Sequence, residues 1–460
     1  MQLWLGFSSN MKLVSGWRRY LHFDFHVLQV LLQRGWQIIA GGITVLIVPL
    51  SMTAAEQGYY FTFSSLLALQ VFFELGLNFV VTQMAGHEAA KLNITEDGRI
   101  DGDPGNAARL MSLIAVLRRW YRIAAPIFAV ILMVAGFFFF QREQTLPLQK
   151  WVAAWLLLVV FTAVNLYFSS RLAVLEGIGR VGAVARLRLH QSVVGMLLMW
   201  AGLTLGWGLF SVPLVSGTAA LGTWLWLRRY GSLRIPPELA DSQLTNFNWR
   251  RDIFPLQWKI ALSWLSGWFI FNAFTPMLFA HQGAVEAGRV GLAITMFTAI
   301  STMGMAWVNA AAPQFMRLIA LGERAALNKL FKKVLASNAS FVTLASLMLL
   351  GSVAVLKPMN VAIVARVASL PVLTCLALVA IANSFIFAVA TYMRAHKEEP
   401  MLVSSVVVAI IIGPLAWFGS KYGSLAMMAA YATTTLCLAL PWALILFFGY
   451  YRRSDSSLQK

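Results

Sequence analysis

Acidic residues and cysteines are both scarce in this chain. Its 460 residues contain 18 Asp and Glu against 36 Lys and Arg, which gives a net charge of +18. The two cysteines, Cys375 and Cys437, both fall inside apolar stretches, so neither a disulfide framework nor a zinc-binding spacing is present. The six histidines include no pair at metal-binding spacing. These absences exclude a disulfide-rich secreted domain and argue against a metalloenzyme.

Sequence patterns of ATP-driven transport and of membrane enzymes are also missing. No glycine-rich phosphate loop precedes a cytoplasmic helix, which argues against an ATP-driven pump in one chain. The non-cytoplasmic gaps are short, whereas a membrane glycosyltransferase or polymerase usually needs a sizeable loop outside the bilayer. Residues 1–25 lack a signal-peptide cleavage pattern and predict a basic, aromatic segment on the bilayer surface, with Met1 or Met11 as the start. We therefore expect no enzyme, no cofactor and no metal.

Apolar sequence, in contrast, fills most of the chain. Hydrophobic residues make up 59% of it, and they concentrate in stretches of about 20 residues, the length that crosses a hydrocarbon layer of about 30 Å. The sequence predicts an all-α membrane protein with twelve spans, at 27–50, 58–82, 123–140, 151–173, 187–206, 209–227, 256–280, 289–311, 335–356, 366–390, 401–419 and 425–449.

Basic residues fall almost entirely in every second gap between these spans. One side holds 29 of the 36 Lys and Arg, the other side holds six, and Arg34 lies inside the first span. The positive-inside rule therefore places both termini in the cytoplasm. The same distribution explains the net charge, so we expect membrane lipids rather than nucleic acid as the partner of these cations.

A polar segment at 229–254 divides the spans into six and six. The halves, 1–228 and 255–460, share an ordered set of matches, beginning with Glu56-Gln57-Gly58 before the second span and Glu286-Ala287-Gly288 before the eighth, 230 residues later. Because six is even, both repeats keep one orientation. We predict two six-helix bundles related by a pseudo-twofold axis along the membrane normal, as in a duplicated transporter.

Long cytoplasmic segments follow the matching spans of each half, 84–122 in the first and 313–334 in the second. Within them, 107–122 and 315–333 have the spacing of amphipathic surface helices, and a docked connector is the plainer interpretation of both. Residues 93–106 are rich in Asp, Gly and Pro and predict a flexible loop.

Polar residues inside membrane spans are costly, so their positions are informative. Each of the first two spans carries a stripe at four-residue spacing: Gln29, Gln33 and Gln37 with Arg34 beside them, and Gln70, Glu74 and Asn78. Arg34 and Glu74 have matching depths, so one interpretation is an ion pair that locks the two helices. The other is a hydrated cavity in which Arg34 meets an anionic substrate.

Lys259 at the start of the seventh span has two interpretations as well. It can snorkel to the interface, or it can face a central cavity opposite Arg34, as the corresponding cation of the second half.

Two stretches resemble a known transporter family. Glu56-Gln57-Gly58-Tyr59-Tyr60-Phe61-Thr62-Phe63, leading into Phe72-Phe73-Glu74-Leu75-Gly76, resembles the second-helix region of Wzx-type polysaccharide flippases of the multidrug/oligosaccharidyl-lipid/polysaccharide (MOP) exporter superfamily. Glu286-Ala287-Gly288-Arg289-Val290-Gly291-Leu292, with Trp307 and Pro313-Gln314-Phe315 after it, resembles the matching region of the second half. The resemblance implies a V-shaped pair of bundles around a cationic cavity, in a bacterial inner membrane.

The function implied by this resemblance is transfer of undecaprenyl-diphosphate-linked oligosaccharide repeat units to the periplasmic leaflet, for O-antigen or capsule. A polysaccharide polymerase and a chain-length regulator are the protein partners that this function implies. Lipid II flippases of the superfamily usually have two further spans, which counts against lipid II here. The resemblance matches Arg34 and Lys259 to the cations of the cavity, with Arg171 and Arg394 as entrance candidates. The polar stripes add Gln33, Gln37, Gln70 and Asn78 to the candidate substrate-binding residues.

Energy for transport would come from a proton or sodium gradient, with Glu74 as the candidate carrier.

Three other functions compete with this assignment. A multidrug exporter of the same superfamily would need an acidic cavity, which Arg34 disfavours. A major-facilitator transporter would carry a short basic signature between its second and third spans, which 84–122 does not supply. A subunit of a polysaccharide synthesis complex would flip nothing alone.

Overall fold

A computed structural model describes residues 25–95, 98–143, 145–231, 233, 254–396 and 401–456. Helix dominates throughout. The predicted surface segment 1–25 and most of the predicted linker 229–254 lie outside the described residues, so the domain limits stay a prediction.

The described part of the first half forms eight helices and one hairpin. A 3₁₀ turn at Ala68–Gln70 joins the second helix to the third, and a π turn at Glu176–Arg180 joins the sixth to the seventh. The elements are α1 Phe25–Ser51, α2 Ala54–Leu67, α3 Val71–Glu74, α4 Leu77–Ala89, β1 Leu92–Ile94, β2 Ile100–Gly102, α5 Pro104–Gln141, α6 Leu148–Leu175, α7 Val181–Thr204 and α8 Pro213–Tyr230.

The described part of the second half forms seven helices, the last two joined by a π turn at Thr435–Ala439. They are α9 Phe254–Phe271, α10 Phe274–Ala320, α11 Arg324–Leu356, α12 Leu370–Arg394, α13 Met401–Lys421, α14 Ser424–Thr434 and α15 Leu440–Ser456.

The predicted membrane character is confirmed. Within the described residues, nine helical segments are long and apolar enough to cross a membrane, or ten if the bent pair Ala54–Glu74 and Leu77–Ala89 is one span. Two of the nine, Leu148–Thr204 with 57 residues and Ile260–Ala320 with 61, each run through two predicted spans. Glycines with non-helical backbone interrupt them, Gly179 at φ 96° and Gly283 at φ 85°.

The predictions for the connecting segments are wrong in detail. Residues 107–122 are helical but belong to α5, because the Asp103 side chain caps the helix at the Asn106 N–H, 2.9 Å away, and the helix then continues to Gln141. Residues 315–333 divide between α10 and α11, because Gly322 at φ 72° ends the first of them. The segment 93–106, which was predicted to be a loop, instead contains most of an antiparallel hairpin formed by β1 and β2.

Helices α1–α8 form the N-lobe and α9–α15 form the C-lobe; most of them pack mainly within their own lobe, whereas α2 packs most extensively on α10 of the other lobe. In the N-lobe, α1 lies along α7: Trp36 Nε1 donates to Ser192 at 3.1 Å and Trp200 Nε1 donates to Thr44 at 3.0 Å. In the C-lobe, the buried amide of Asn338 donates to the Ser384 carbonyl at 2.8 Å. The lobes meet where α2 and α1 contact α10 and where α3 contacts α9.

Candidate functional site

The glycines of the repeated motif lie against each other between the lobes. Gly58 on α2 and Gly288 on α10 are both buried. A Cβ at position 58 would overlap the carbonyl oxygen of Ala284, and one at position 288 would lie 2.7 Å from the Gly58 nitrogen. The buried Gln57 side chain donates to the carbonyls of Gly288 at 2.9 Å and Arg366 at 3.1 Å. This backbone contact between Gly58, Ala284 and Gly288, named the glycine contact below, holds one end of the lobes together.

The two glutamates of the motif have different local roles. Glu56 closes a capping box with Thr53, in which each side chain binds the other's backbone N–H, and this fixes the start of α2. Glu286 pairs with Arg289 at 3.5 Å and accepts a hydrogen bond at 2.5 Å from the hydroxyl of Ser424. The repeated feature that both halves use in the same way is therefore the glycine.

One face of α1 becomes more exposed with distance from the glycine contact. Five residues share the face opposite α7: Pro49, Val45, Gly41, Ile38 and Arg34. Pro49 is buried, the next three are half-buried and Arg34 is exposed. The lobes therefore separate along α1.

The same gradient runs along α10. Gly288 and Gly291 are buried, Thr295 is half-buried, and Thr298 and Thr302 are exposed. The two gradients describe a space between the lobes, bordered by Arg34 and Ile38 on one side and by Thr298 and Thr302 on the other. We name it the interlobe cleft. It is closed at the glycine contact and widens away from it along α1 and α10, whereas α3 and α4 stay in contact with α9.

Arg34 stands alone on the cleft side of α1. It forms no ion pair and no hydrogen bond with a described residue, and the suggested Arg34–Glu74 pair is not formed. Packing of Trp36 against α7 turns Arg34 to the other side of the helix. Gln33 is half-buried and Gln37 is exposed. Of the predicted stripe, Arg34 is the residue whose charge is available to a ligand in the cleft.

The stripe of the second span faces the interior of the N-lobe instead. The Gln70 amide donates to the Glu74 carboxylate. The Asn78 Oδ1 accepts from the hydroxyl of Tyr121 at 3.3 Å and from that of Ser169 at 3.5 Å. Glu74 and Asn78 thus belong to a polar cluster among α3, α4, α5 and α6, and not to the same surface as Arg34.

Arg188 on α7 is a functional candidate that sequence reasoning missed. Its guanidinium lies within electrostatic range of Glu74 and pairs with Glu176 at 2.7 Å. The signal in the sequence is its position, second in the predicted span 187–206. Among the described residues, the cation that acts on Glu74 across space therefore lies on α7 and not on α1.

The backbone is strained directly beside Glu74. Leu75 has φ 47° and Gly76 has φ 67°, both left-handed, and the chain bends by 45° here. A left-handed conformation costs a residue other than glycine about 1–2 kcal/mol. Strain of this kind concentrates at functional sites. A Cβ at Gly76 would overlap the side chain of Ile260, so the bend also packs the N-lobe against α9.

The C-lobe contains two adjoining cavities of about 440 and 350 Å³. They share Phe271, Met305, Asn309, Asn383 and Phe387. The first also includes the cleft residues Thr298 and Thr302, and the second reaches Arg394, the one charged group among the described lining residues. The predicted entrance residue Arg394 therefore borders a space that leads into the interior of the C-lobe.

The remaining predicted cations lie apart from Arg34. Arg171 is half-buried near the end of α6, with its guanidinium 5.6 Å from the centre of the Tyr167 ring. The backbone of Lys259 is part of α9, and its side chain lies outside the described atoms. Among the side chains that the structure describes, the predicted substrate-binding residues are therefore not gathered into one site.

No protein-family model and no curated protein matches this sequence. Solved structures do match. An inward-facing MATE-family multidrug transporter of the MOP superfamily aligns over 91% of this chain and 98% of its own, with a TM-score of 0.54 and 14% identity. The lipid II flippase MurJ, in an inward closed conformation, aligns over 91% of this chain and 86% of its own, with a TM-score of 0.54 and 11% identity.

A third similar structure is a MOP superfamily transporter from Pyrococcus furiosus, described as having a binding pocket of reversed polarity. It aligns over 94% of this chain and 95% of its own, with a TM-score of 0.51 and 14% identity. At such identities the likeness concerns the fold. The protein has the fold of MOP superfamily transporters, which is the fold that the sequence resemblance implies.

Proposed function

We propose that the protein is a Wzx-type flippase, which moves undecaprenyl-diphosphate-linked oligosaccharide repeat units from the cytoplasmic to the periplasmic leaflet for O-antigen or capsule synthesis. The observation that carries the proposal is the exposed Arg34 beside the interlobe cleft, which pairs with no described residue. A guanidinium matches the geometry of a phosphate through two parallel hydrogen bonds. The diphosphate and sugars would occupy the cleft while the prenyl chain stays in the lipid.

The lengths of the helical segments support twelve crossings. Segments of 57 and 61 residues are far longer than about 30 Å at about 1.5 Å per residue. Each is interrupted at a glycine, so we count two crossings in each, which raises ten spans to twelve and leaves both termini in the cytoplasm. The glycine contact is then periplasmic and the cleft opens to the cytoplasm, the side from which the substrate is loaded. Rocking of the lobes would open the other end.

Replacing Arg34 with alanine tests the substrate assignment. Hydrogen bonds to charged groups contribute about 1.5–3 kcal/mol, so we expect transport to fall roughly 10- to 100-fold. Arg34→Lys keeps the charge but loses the bidentate geometry, and its activity should lie in between. The measurement is leaflet transfer of a fluorescent polyprenyl-diphosphate oligosaccharide in proteoliposomes.

Arg119→Ala provides the matched control for this prediction. Arg119 is an exposed arginine on α5, and its removal should leave transport unchanged. Wild-type transfer by Arg34→Ala would refute the role of Arg34. Absence of transfer by the wild-type protein under any applied gradient would refute the flippase assignment itself.

Glu74 is the proposed site of ion coupling, because it is a half-buried carboxylate beside a strained bend and within range of Arg188. We expect Glu74→Gln to abolish gradient-driven transfer while the affinity for the lipid-linked sugar stays unchanged. Transfer is measured with and without a proton or sodium gradient. Glu323→Gln, at an exposed position before α11, is the control. Gradient-dependent transport that survives in Glu74→Gln would eliminate the coupling role.

A multidrug exporter is the second candidate, and the C-lobe cavity is the observation that favours it. Its volume of about 440 Å³ falls in the range of small-molecule sites. The described lining residues include no carboxylate to meet a cationic drug, which favours the flippase. Efflux of cationic dyes from cells that express the protein separates the two functions.

A subunit that flips nothing alone would be inactive in proteoliposomes and active with a polymerase and a chain-length regulator.

A further inference from the structure

A pocket of about 240 Å³ lies at the end of the N-lobe that is predicted to face the cytoplasm. It is formed by α5, α6 and the residues that follow α8. Its walls are largely apolar, with Leu117, Val174 and Leu233 among them. Two arginines line it, Arg118 from α5 and Arg171 from α6.

Both arginines lack a partner of opposite charge in the part of the chain that the structure describes. Neither Arg118 nor Arg171 forms an ion pair or a hydrogen bond with a described residue, and no carboxylate lines the described pocket. The ring of Tyr167, 5.6 Å from the Arg171 guanidinium, holds that group in place without neutralising it. Two positive charges therefore share one small space.

Ser170 adds a polar group to the same pocket. The residue is 3% exposed and lines the pocket. Its hydroxyl makes no hydrogen bond with a described residue, unlike that of the adjacent Ser169, which donates to the Leu166 carbonyl at 2.8 Å. The hydroxyl oxygen is not itself buried, so it is open to the pocket. A ligand that accepts hydrogen bonds from a hydroxyl and two guanidinium groups can therefore reach it.

We propose that this pocket binds the phosphate headgroup of a lipid in the cytoplasmic leaflet. The arginines and Ser170 recognise the phosphate, and the apolar walls take the first carbons of the chains, which a free phosphate ion would leave uncovered. The lipid phosphate can come from an anionic phospholipid or from the diphosphate of the transported lipid. The inference rests on the proposed topology. If the phosphate belongs to the transported lipid, the inference also rests on the proposed function.

Lipid binding to the purified, delipidated full chain tests the proposal, with native mass spectrometry as the measurement. The probes are phosphatidylglycerol, phosphatidylcholine and undecaprenyl diphosphate. Arg118→Gln and Arg171→Gln should each weaken binding of the recognised lipid roughly tenfold, and the double variant more. Arg119→Gln removes the neighbouring charge outside the pocket and should bind like the wild type. Arg118 is exposed, so its single variant remains informative if the double variant fails to fold.

The probes distinguish the two sources of the phosphate. Loss of phosphatidylglycerol binding alone assigns the pocket to bilayer phospholipid, and loss of undecaprenyl diphosphate binding assigns it to the transported lipid. Unchanged binding of both by the arginine variants, or an equal loss in Arg119→Gln, overturns the proposal. Phosphatidylglycerol binding needs no transport, so failure of the flippase assay leaves this result standing.

Discussion

Gly58→Val is expected to abolish transport while the protein stays folded and inserted in the membrane. Any Cβ at this position overlaps the Ala284 carbonyl oxygen, which belongs to the other lobe. Overpacking costs about 1–3 kcal/mol, and each 1.4 kcal/mol shifts an equilibrium roughly tenfold. The state that is closed at the glycine contact should therefore be strongly depopulated. The measurements are leaflet transfer and labelling of Ala287→Cys, buried in the closed state, by an impermeant thiol reagent from the periplasmic side.

Gly42→Ala is the matched control for this substitution. Gly42 also lies in a membrane helix of the N-lobe, but a Cβ there meets no atom within 4 Å. It should leave transport and labelling unchanged, because alanine is tolerated or preferred over glycine within a helix. Gly288→Ala, on the opposite side of the contact, should act like Gly58→Val. Full transport by Gly58→Val would contradict a role for the glycine contact in the cycle.

The repeated motif illustrates what the sequence can predict. The match between Gly58 and Gly288, 230 residues apart, indicated a duplicated chain. It did not indicate that the two glycines touch, because a repeat fixes equivalent positions in two copies and says nothing of the distance between them. Contact follows only if both lie on the axis that relates the lobes. The structure shows the contact itself, in the close approach of α2 to α10.

The polar stripes illustrate where sequence reasoning stops. Four-residue spacing predicted Glu74 and Asn78 on one side of a continuous span, and both lie near Tyr121 although the helix breaks between them. It could not give the rotation of one helix relative to another. Trp36 packs on α7 and thereby turns Arg34 toward the cleft, away from Glu74. Such rotations depend on large side chains that pack between helices. The spacing of polar residues along one helix does not predict this packing.

Breaks in the helices were also beyond the sequence prediction. The second span was treated as continuous through 58–82, but Leu75 and Gly76 are left-handed and bend it. A leucine carries no signal for a positive φ, since it disfavours that conformation. The bend is stabilised from outside, where Gly76 packs against Ile260 of the other lobe. The contact with Ile260 therefore stabilises the break, which the local sequence alone does not predict.

A disulfide between positions 61 and 291 is expected to arrest transport reversibly. Phe61 lies on α2 and Gly291 on α10, and a Cβ at position 291 would lie 2.6 Å from the Phe61 Cβ. A disulfide needs a Cβ separation of about 3.5–4.5 Å, so a shift of about 1 Å suffices. The space vacated by the phenyl ring accommodates the sulfur atoms. With Phe61→Cys and Gly291→Cys in a background of Cys375→Ser and Cys437→Ser, oxidation should stop leaflet transfer almost completely, and a reductant should restore it.

The single variants Phe61→Cys and Gly291→Cys control for the substitutions themselves, since neither can cross-link the lobes and both should be insensitive to oxidant. Complete cross-linking, checked by thiol titration, combined with undiminished transfer would mean that α2 and α10 stay together throughout the cycle. The lobes would then open elsewhere, and the rocking motion would be refuted while a cationic cleft at Arg34 could remain. Arrest by the disulfide together with loss of transport in Gly58→Val would instead show that transport requires the glycine contact both to close and to open. The disulfide holds the contact closed, and Gly58→Val prevents it from closing.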